Sequence, residues 1–139
     1  MIAQRHVIGY AAALTILAAT GVVRGSAIAG PTLVGQPETV IVTLHAKAGS
    51  EADLAGVIGR HWDTARGLNL VLDAPHLTMR GIENGTQTYF VDIFTWRDAS
   101  IPDQAPAAIQ AIWAEMNRLV EARGARPGLD IAEVTVVDR

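Results

Sequence analysis

The sequence predicts a ferredoxin-like α+β domain. Its elements run β-α-β-β-α-β, giving a four-stranded antiparallel sheet of order 4-1-3-2 with two helices on one face. Three observations carry this. Four short segments read as strands, the first, third and last of them rich in β-branched or aromatic residues at period two. Two segments between them carry apolar residues at helical spacing. Asn84-Gly85 then joins the second and third strands as a tight hairpin. With right-handed βαβ crossovers, the two units share one sheet in that order.

The first strand is Thr39 to Ala46, TVIVTLHA, broken by Gly49-Ser50. Ser50 with Asp53 resembles a helix-capping pair. Leu54, Val57, Ile58, His61 and Ala65 form the stripe of helix one, which ends near Gly67. Pro75 to Gly81 is a second, shorter strand, and Thr88 to Trp96, TYFVDIFTW, is the third. Pro102 and Pro106 suit the approach to helix two, Gln104 to Arg123. Its stripe is Ile109, Ile112, Trp113, Met116, Leu119 and Val120. Gly124 ends it, Pro127-Gly128 turns the chain, and Leu129 to Val137 is the last strand.

Residues 1–29 read differently. Arg5 gives a basic start, Val7 to Val23 is almost free of polar residues, and Ala27-Ile28-Ala29 places small residues two apart. This is the pattern of a signal peptide cleaved after Ala29. The competing reading is a retained anchor, at the lower edge of spanning length. The chain is therefore expected to be exported, periplasmic or secreted, and to meet a membrane only through this segment before cleavage. With no cysteine, a lipoprotein anchor, disulfides and thiolate metal sites are excluded. Residues 30–38 read as a linker and 39–138 as the domain.

Residues 30–139 keep nine basic and all fourteen acidic residues, a formal balance of −5. That excludes nucleic acid as a partner, which needs a basic surface. No phosphate-cradling glycine loop and no Gly-x-Ser-x-Gly elbow occurs, which removes several large enzyme classes.

Strand parity writes two faces. One set is apolar: Val40, Val42, Leu44, Leu77, Met79, Tyr89, Val91, Ile93, Ala132, Val134 and Val136. The other mixes Ile41, Thr43, His45, His76, Thr78, Arg80, Ile131, Glu133 and Thr135 with Phe90, Asp92, Phe94 and Trp96. Two helices cover one face only. A second copy of the chain is the economical cover for the other, so a homodimer is expected.

From about Thr39 to Val137 the chain resembles the dimeric α+β barrel superfamily, in its antibiotic-biosynthesis-monooxygenase-like branch. The residues that carry the resemblance are the first strand running into Ala48-Gly49-Ser50 with an acidic helix start. The third strand's ending, Phe94-Thr95-Trp96-Arg97-Asp98, carries the rest. The resemblance implies that two subunits pair their sheets into a barrel and that a ligand sits between a subunit's sheet and its helices. It implies a cofactor-independent, monooxygenase-like or isomerase-like enzyme acting on a small aromatic or hydrophobic molecule. The alternative is a non-catalytic ligand-binding or stress-associated protein of the same fold. Haem-binding members use a histidine on or near helix two as iron ligand. Helix two here contains none, so no cofactor is expected.

The candidate catalytic residues are His61, His45 and Asp92. Asp92 is the odd residue in an apolar strand that lies beside the first, within reach of His45. An Asp–His pair makes a general base; the same pair also serves as a structural contact across a dimer interface. Three imidazoles, His45, His61 and His76, could bind a metal or shuttle protons. No two share a local ligand spacing, so no metal is assigned. Trp62, Trp96 and Trp113 come from three elements and either pack the core or share a pocket for a flat ligand. Met116, one turn from Trp113, adds an adaptable wall. The candidate substrate pocket is Trp62, His76, Trp96, Arg97, Trp113 and Met116. Arg80 and Arg97 are candidates for holding an anionic group, against the ordinary reading of arginine as surface.

Overall fold

A computed structural model describes residues 35–137. The expected signal segment 1–29 lies outside the described residues. The elements are β1 (Glu38–His45), α1 (Glu51–Gly67), β2 (Leu77–Glu83), β3 (Gln87–Trp96), α2 (Ala107–Leu119) and β4 (Leu129–Val134). A 3-10 turn, Pro102–Gln104, leads into α2. The sheet order is β2-β3-β1-β4 with every neighbouring pair antiparallel, the expected 4-1-3-2 order.

Local chemistry explains the boundaries. Glu51 and Asp53 lie in the first turn of α1 and Arg66 in the last, the arrangement the helix dipole favours. The expected Ser50 cap is absent: its side chain makes no cap hydrogen bond, and its carbonyl accepts from Leu54 N–H instead. The hairpin turn is as expected, with Asn84 at φ 49° and Gly85 at φ 79°, both left-handed. β2 begins two residues later than expected and runs to Glu83, up to the hairpin.

The helix predicted over 104–123 is shorter at both ends. Val120 is extended because the chain there pairs with the end of β1. Lys47 N–H donates to the Leu119 carbonyl and Glu121 N–H to the His45 carbonyl, each at 2.9 Å. β4 stops at Val134, whose partner Thr39 stands one residue from the start of β1.

The sheet faces need one correction, and it concerns β1. Val40 pairs with Phe94, Val42 with Asp92 and Leu44 with Phe90. Val42 also pairs with Ile131 of β4. The even positions of β1 therefore share a face with Phe90, Asp92, Phe94 and Trp96, not with Tyr89, Val91 and Ile93. β1 is apolar at Val40, Val42 and Leu44 and mixed at Thr39, Ile41, Thr43 and His45. Parity within one strand does not say which residues of its neighbours share each face; the pairing register does.

The helices cover the face carrying Val40, Val42, Leu44, Phe90, Phe94 and Trp96. There these residues pack with Leu54, Val57, Ile58 and Ala65 of α1 and Ile109, Trp113 and Met116 of α2. The other face carries Ile41, Val91, Ile93, Ala132 and Val134, with Leu77 50% and Met79 44% exposed, beside Thr39, Thr43, His45 and Thr95. On that face Tyr89 lies across Gly81, its partner on β2, where an added Cβ would collide with the ring.

Candidate functional site

Asp92 stands in the middle of β3 on the helix side, between Val42 and Thr78, and is only 3% exposed. A buried carboxylate needs partners. Thr78 Oγ1–H donates to Asp92 Oδ1 at 2.6 Å, and His76 Nε2 lies 3.4 Å from the same oxygen. Burial pushes the Asp92 carboxyl above its ordinary pKa, opposed by the Thr78 hydroxyl and by His76. His76 in turn lies flat against Trp62, with ring centroids 3.7 Å apart and planes within 6°. The imidazole is thus fixed on one edge by a carboxylate and on one face by an indole. It also keeps a quarter of its side-chain surface open to solvent. When Nε2–H faces Asp92, Nδ1 keeps a lone pair, the form of a general base.

His61 precedes Trp62 on α1 and has the opposite environment. It is 4% exposed, and its Nε2 accepts a hydrogen bond from Trp113 Nε1–H at 3.1 Å. Indole nitrogen only donates, so the proton of neutral His61 sits on Nδ1. Phe94 and Trp96 meet the ring edge-on, with centroids at 5.4 and 5.9 Å. Burial pushes its pKa down to about 4, with the His76 charge adding. His61 is a neutral core residue whose anchoring holds Trp62, the next residue, over His76.

Of the expected site residues, the structure gathers Asp92, His76 and Trp62 at the rim of the helix-side layer. It gathers His61, Trp96 and Trp113 in an aromatic cluster behind them. Met116 is buried in the core on α2. His45 is elsewhere, which corrects the expected His45–Asp92 pair. Its register partner is Tyr89 on the open face, and its Nδ1–H donates to the Pro127 carbonyl at 2.9 Å. The flipped parity of β1 is the reason. Arg97 is exposed just beyond β3, its backbone N–H on the Leu70 carbonyl.

Sequence reasoning misses the role of Thr78. The hairpin could reveal it, because a three-residue loop, Asn84 to Thr86, pairs Thr78 with Asp92. It also misses Arg123, whose buried guanidinium donates to Glu83 Oε1 at 2.7 Å and to the carbonyls of Ala46 and Thr88 at 2.9 and 2.8 Å. That clamp is structural and stands apart from Asp92.

α2 carries no imidazole where the resemblance would place a haem ligand, and His61 Nε2 is taken by Trp113. Among the described residues, no group of three or more metal-ligating side chains is gathered.

No family model and no curated protein sequence matches the chain. Solved structures do match by fold. One is SnoaB, a cofactor-independent oxygenase from Streptomyces nogalater, with TM-score 0.56 and 14% identity over 75% of this chain and 96% of that one. Another is Rv0793 from Mycobacterium tuberculosis, with TM-score 0.54 and 10% identity over 75% and 98%. A third is a Bacteroides thetaiotaomicron protein described as a possible oxidoreductase, with TM-score 0.53 and 10% identity over 72% and 99%. The chain shares its fold with these proteins.

His61 makes stability depend on pH. Unfolded, it takes a proton near its ordinary 6.5; folded, only near 4. The unfolded state binds more protons between those values, so stability is full above 6.5 and falls as pH drops towards 4. The loss is about 3 kcal/mol. Urea unfolding across this window should show it. His61→Gln, which still offers Trp113 an acceptor and does not titrate, should be flatter by about that amount. An equal slope in both proteins would refute the buried, neutral state.

Proposed function

We propose that the protein is an exported homodimeric α+β barrel. It binds a small aromatic or hydrophobic molecule beside Trp62, His76 and Asp92 and oxygenates it in a monooxygenase-like reaction without a cofactor. The observation that carries this is the His76 imidazole, partly open to solvent yet held by a buried carboxylate and a stacked indole. A base so placed takes the acidic proton of an electron-rich hydroxyarene. The resulting anion gives an electron to dioxygen, and the radical pair joins at a ring carbon as a hydroperoxide that loses water to leave a quinone. Dioxygen is thus the oxidant, one of its atoms entering the product and the other leaving as water. The description of SnoaB as cofactor-independent supports the absence of a cofactor. An isomerase would use the same base to move a proton with no oxygen consumed. A ligand-binding protein would hold the arene without turnover.

Dimerisation is supported by the open sheet face, where Leu77 and Met79 are about half exposed beside Ile41, Val91 and Ile93. A second sheet stacked at about 10 Å would bury it. Export is supported by the apolar run Val7 to Val23 and by Ala27 and Ala29. Among the described residues, no helix is long and apolar enough to cross a membrane.

With naphthols or dihydroxynaphthalenes, an oxygen electrode should record uptake above the spontaneous rate, falling about 100-fold in His76→Gln and Asp92→Asn. Asp92→Asn should keep or raise the thermal midpoint at neutral pH. A carboxyl whose folded pKa is raised costs stability as pH climbs through that value, and the amide removes the cost. Turnover without oxygen uptake would point to the isomerase, and binding without turnover to the ligand-binding protein. Native mass spectrometry of the exported protein should find a dimer whose subunits begin at Gly30, and Ile93→Glu should give monomers. A monomeric wild type or an uncleaved subunit would contradict the corresponding part.

A further inference from the structure

The helix side of β2 carries more than Thr78. His76, Thr78 and Arg80 follow at every second position, so they line one side of the strand. Thr78 and Arg80 stand opposite Asp92 and Phe90 of β3. Over β3 this side is covered by the helices, but over β2 it is open, with Thr78 and Arg80 exposed. α1 runs beside this open strip in the opposite direction. Near its end Trp62 meets His76, and at its start Glu51 feels the charge of Arg80. On the helical stripe leading back from Trp62 stand Gly59 and Ala55, small and exposed. A Cβ added at Gly59 would meet nothing within 4 Å.

Arg80 differs from the arginines that hold the fold together. Arg60 pairs with Glu115, Arg66 with Asp73, and Arg123 and Arg126 with Glu83. Among the described residues no carboxylate lies within ion-pair distance of Arg80. Its contact is a long one, Nη2–H to Thr88 Oγ1 at 3.4 Å. Glu51 does not claim it either. That carboxylate lies below its ordinary pKa chiefly because the backbone N–H groups of Glu51 and Gly49 hold it at the helix start, with Arg80 a lesser cause. A guanidinium with five donors in a fixed fork is left beside an open strip.

We infer that the molecule acted on is an aromatic hydroxy acid, its hydroxyl at His76 and Asp92 and its carboxylate on the Arg80 guanidinium. This rests on the acid–base reading of His76 and Asp92 above. The flat ring lies along Thr78, in the gap that Gly59 and Ala55 leave. Thr78 and Arg80 are about 7 Å apart along the strand and His76 and Arg80 about 13 Å. A two-ring acid spans that gap once the Arg80 side chain leans back. The charged fork fixes the end-to-end orientation that a stacked indole alone would leave free.

Isothermal titration calorimetry with a hydroxynaphthoic acid and with naphthol tests this on the whole protein. Wild type should bind the acid about tenfold more tightly than naphthol at low salt. The preference should shrink as salt rises. Arg80→Gln should abolish it and leave naphthol affinity unchanged, so naphthol binding also reports an intact fold. Arg118→Gln, which removes an exposed charge on α2, should keep it. Naphthol binding with no preference for the acid, or a preference that survives Arg80→Gln, overturns this inference and leaves the acid–base reading standing. Failure of both compounds to bind overturns both.

Discussion

The pairing of Val42 with Asp92 across β1 and β3 is the constraint on which the molecule depends. It sets even positions of both strands on one face, so Phe90, Asp92, Phe94 and Trp96 turn toward the helices together. A slip of one residue would send all four to the other side. With that register the helices seal an aromatic layer and a single carboxylate is carried inside. The same register leaves Ile41, Val91 and Ile93 on an open sheet face. Site and proposed interface are two consequences of one pairing. They lie on opposite sides of the sheet, so a second copy can cover one without closing the other.

His61 and His76 show how environment divides like residues. Both belong to the helix-side layer, one in its interior and one at its edge. His61 is surrounded by Phe94, Trp96 and Trp113, its acceptor is occupied, and its charged form is suppressed by burial. His76 keeps solvent on part of its ring and a carboxylate on Nε2. Rigid packing belongs to the first and the proposed proton chemistry to the second. Because His61 and Trp62 are successive residues on α1, the buried ring fixes the indole that braces the exposed imidazole. Asp92 supplies the opposing tension. Its burial is a cost to the fold, and such a cost persists where the group does something other than stabilise.

Element type and order were legible because period and turn chemistry are local. The Asn84-Gly85 hairpin and the stripe from Leu54 to Ala65 carried their meaning in the residues themselves. The α2 terminus was not legible, since Val120 leaves the helix to pair beside Ala46, far away in sequence. Asp92 stood out as a charge in an apolar strand, but its partner did not. Choosing His76 over His45 needs the facing of β1 against β3, and that is set by the pairing register rather than by the pattern within β1. Thr78 carried no signal of its own, and its role comes from the hairpin register. Trp62 and His76, fourteen residues apart, were both marked for the site, but their stacking is tertiary.

The proposed function requires that His76, backed by Asp92, act as a base toward a bound hydroxyl. An absorbance titration of naphthol saturating the protein tests this directly, because the ionised ring absorbs at longer wavelength. The bound hydroxyl should ionise at least about one pH unit below the free compound, and His76→Gln should return it to the free value. Bound naphthol that titrates as it does in buffer, or a shift that persists in His76→Gln, would contradict the account.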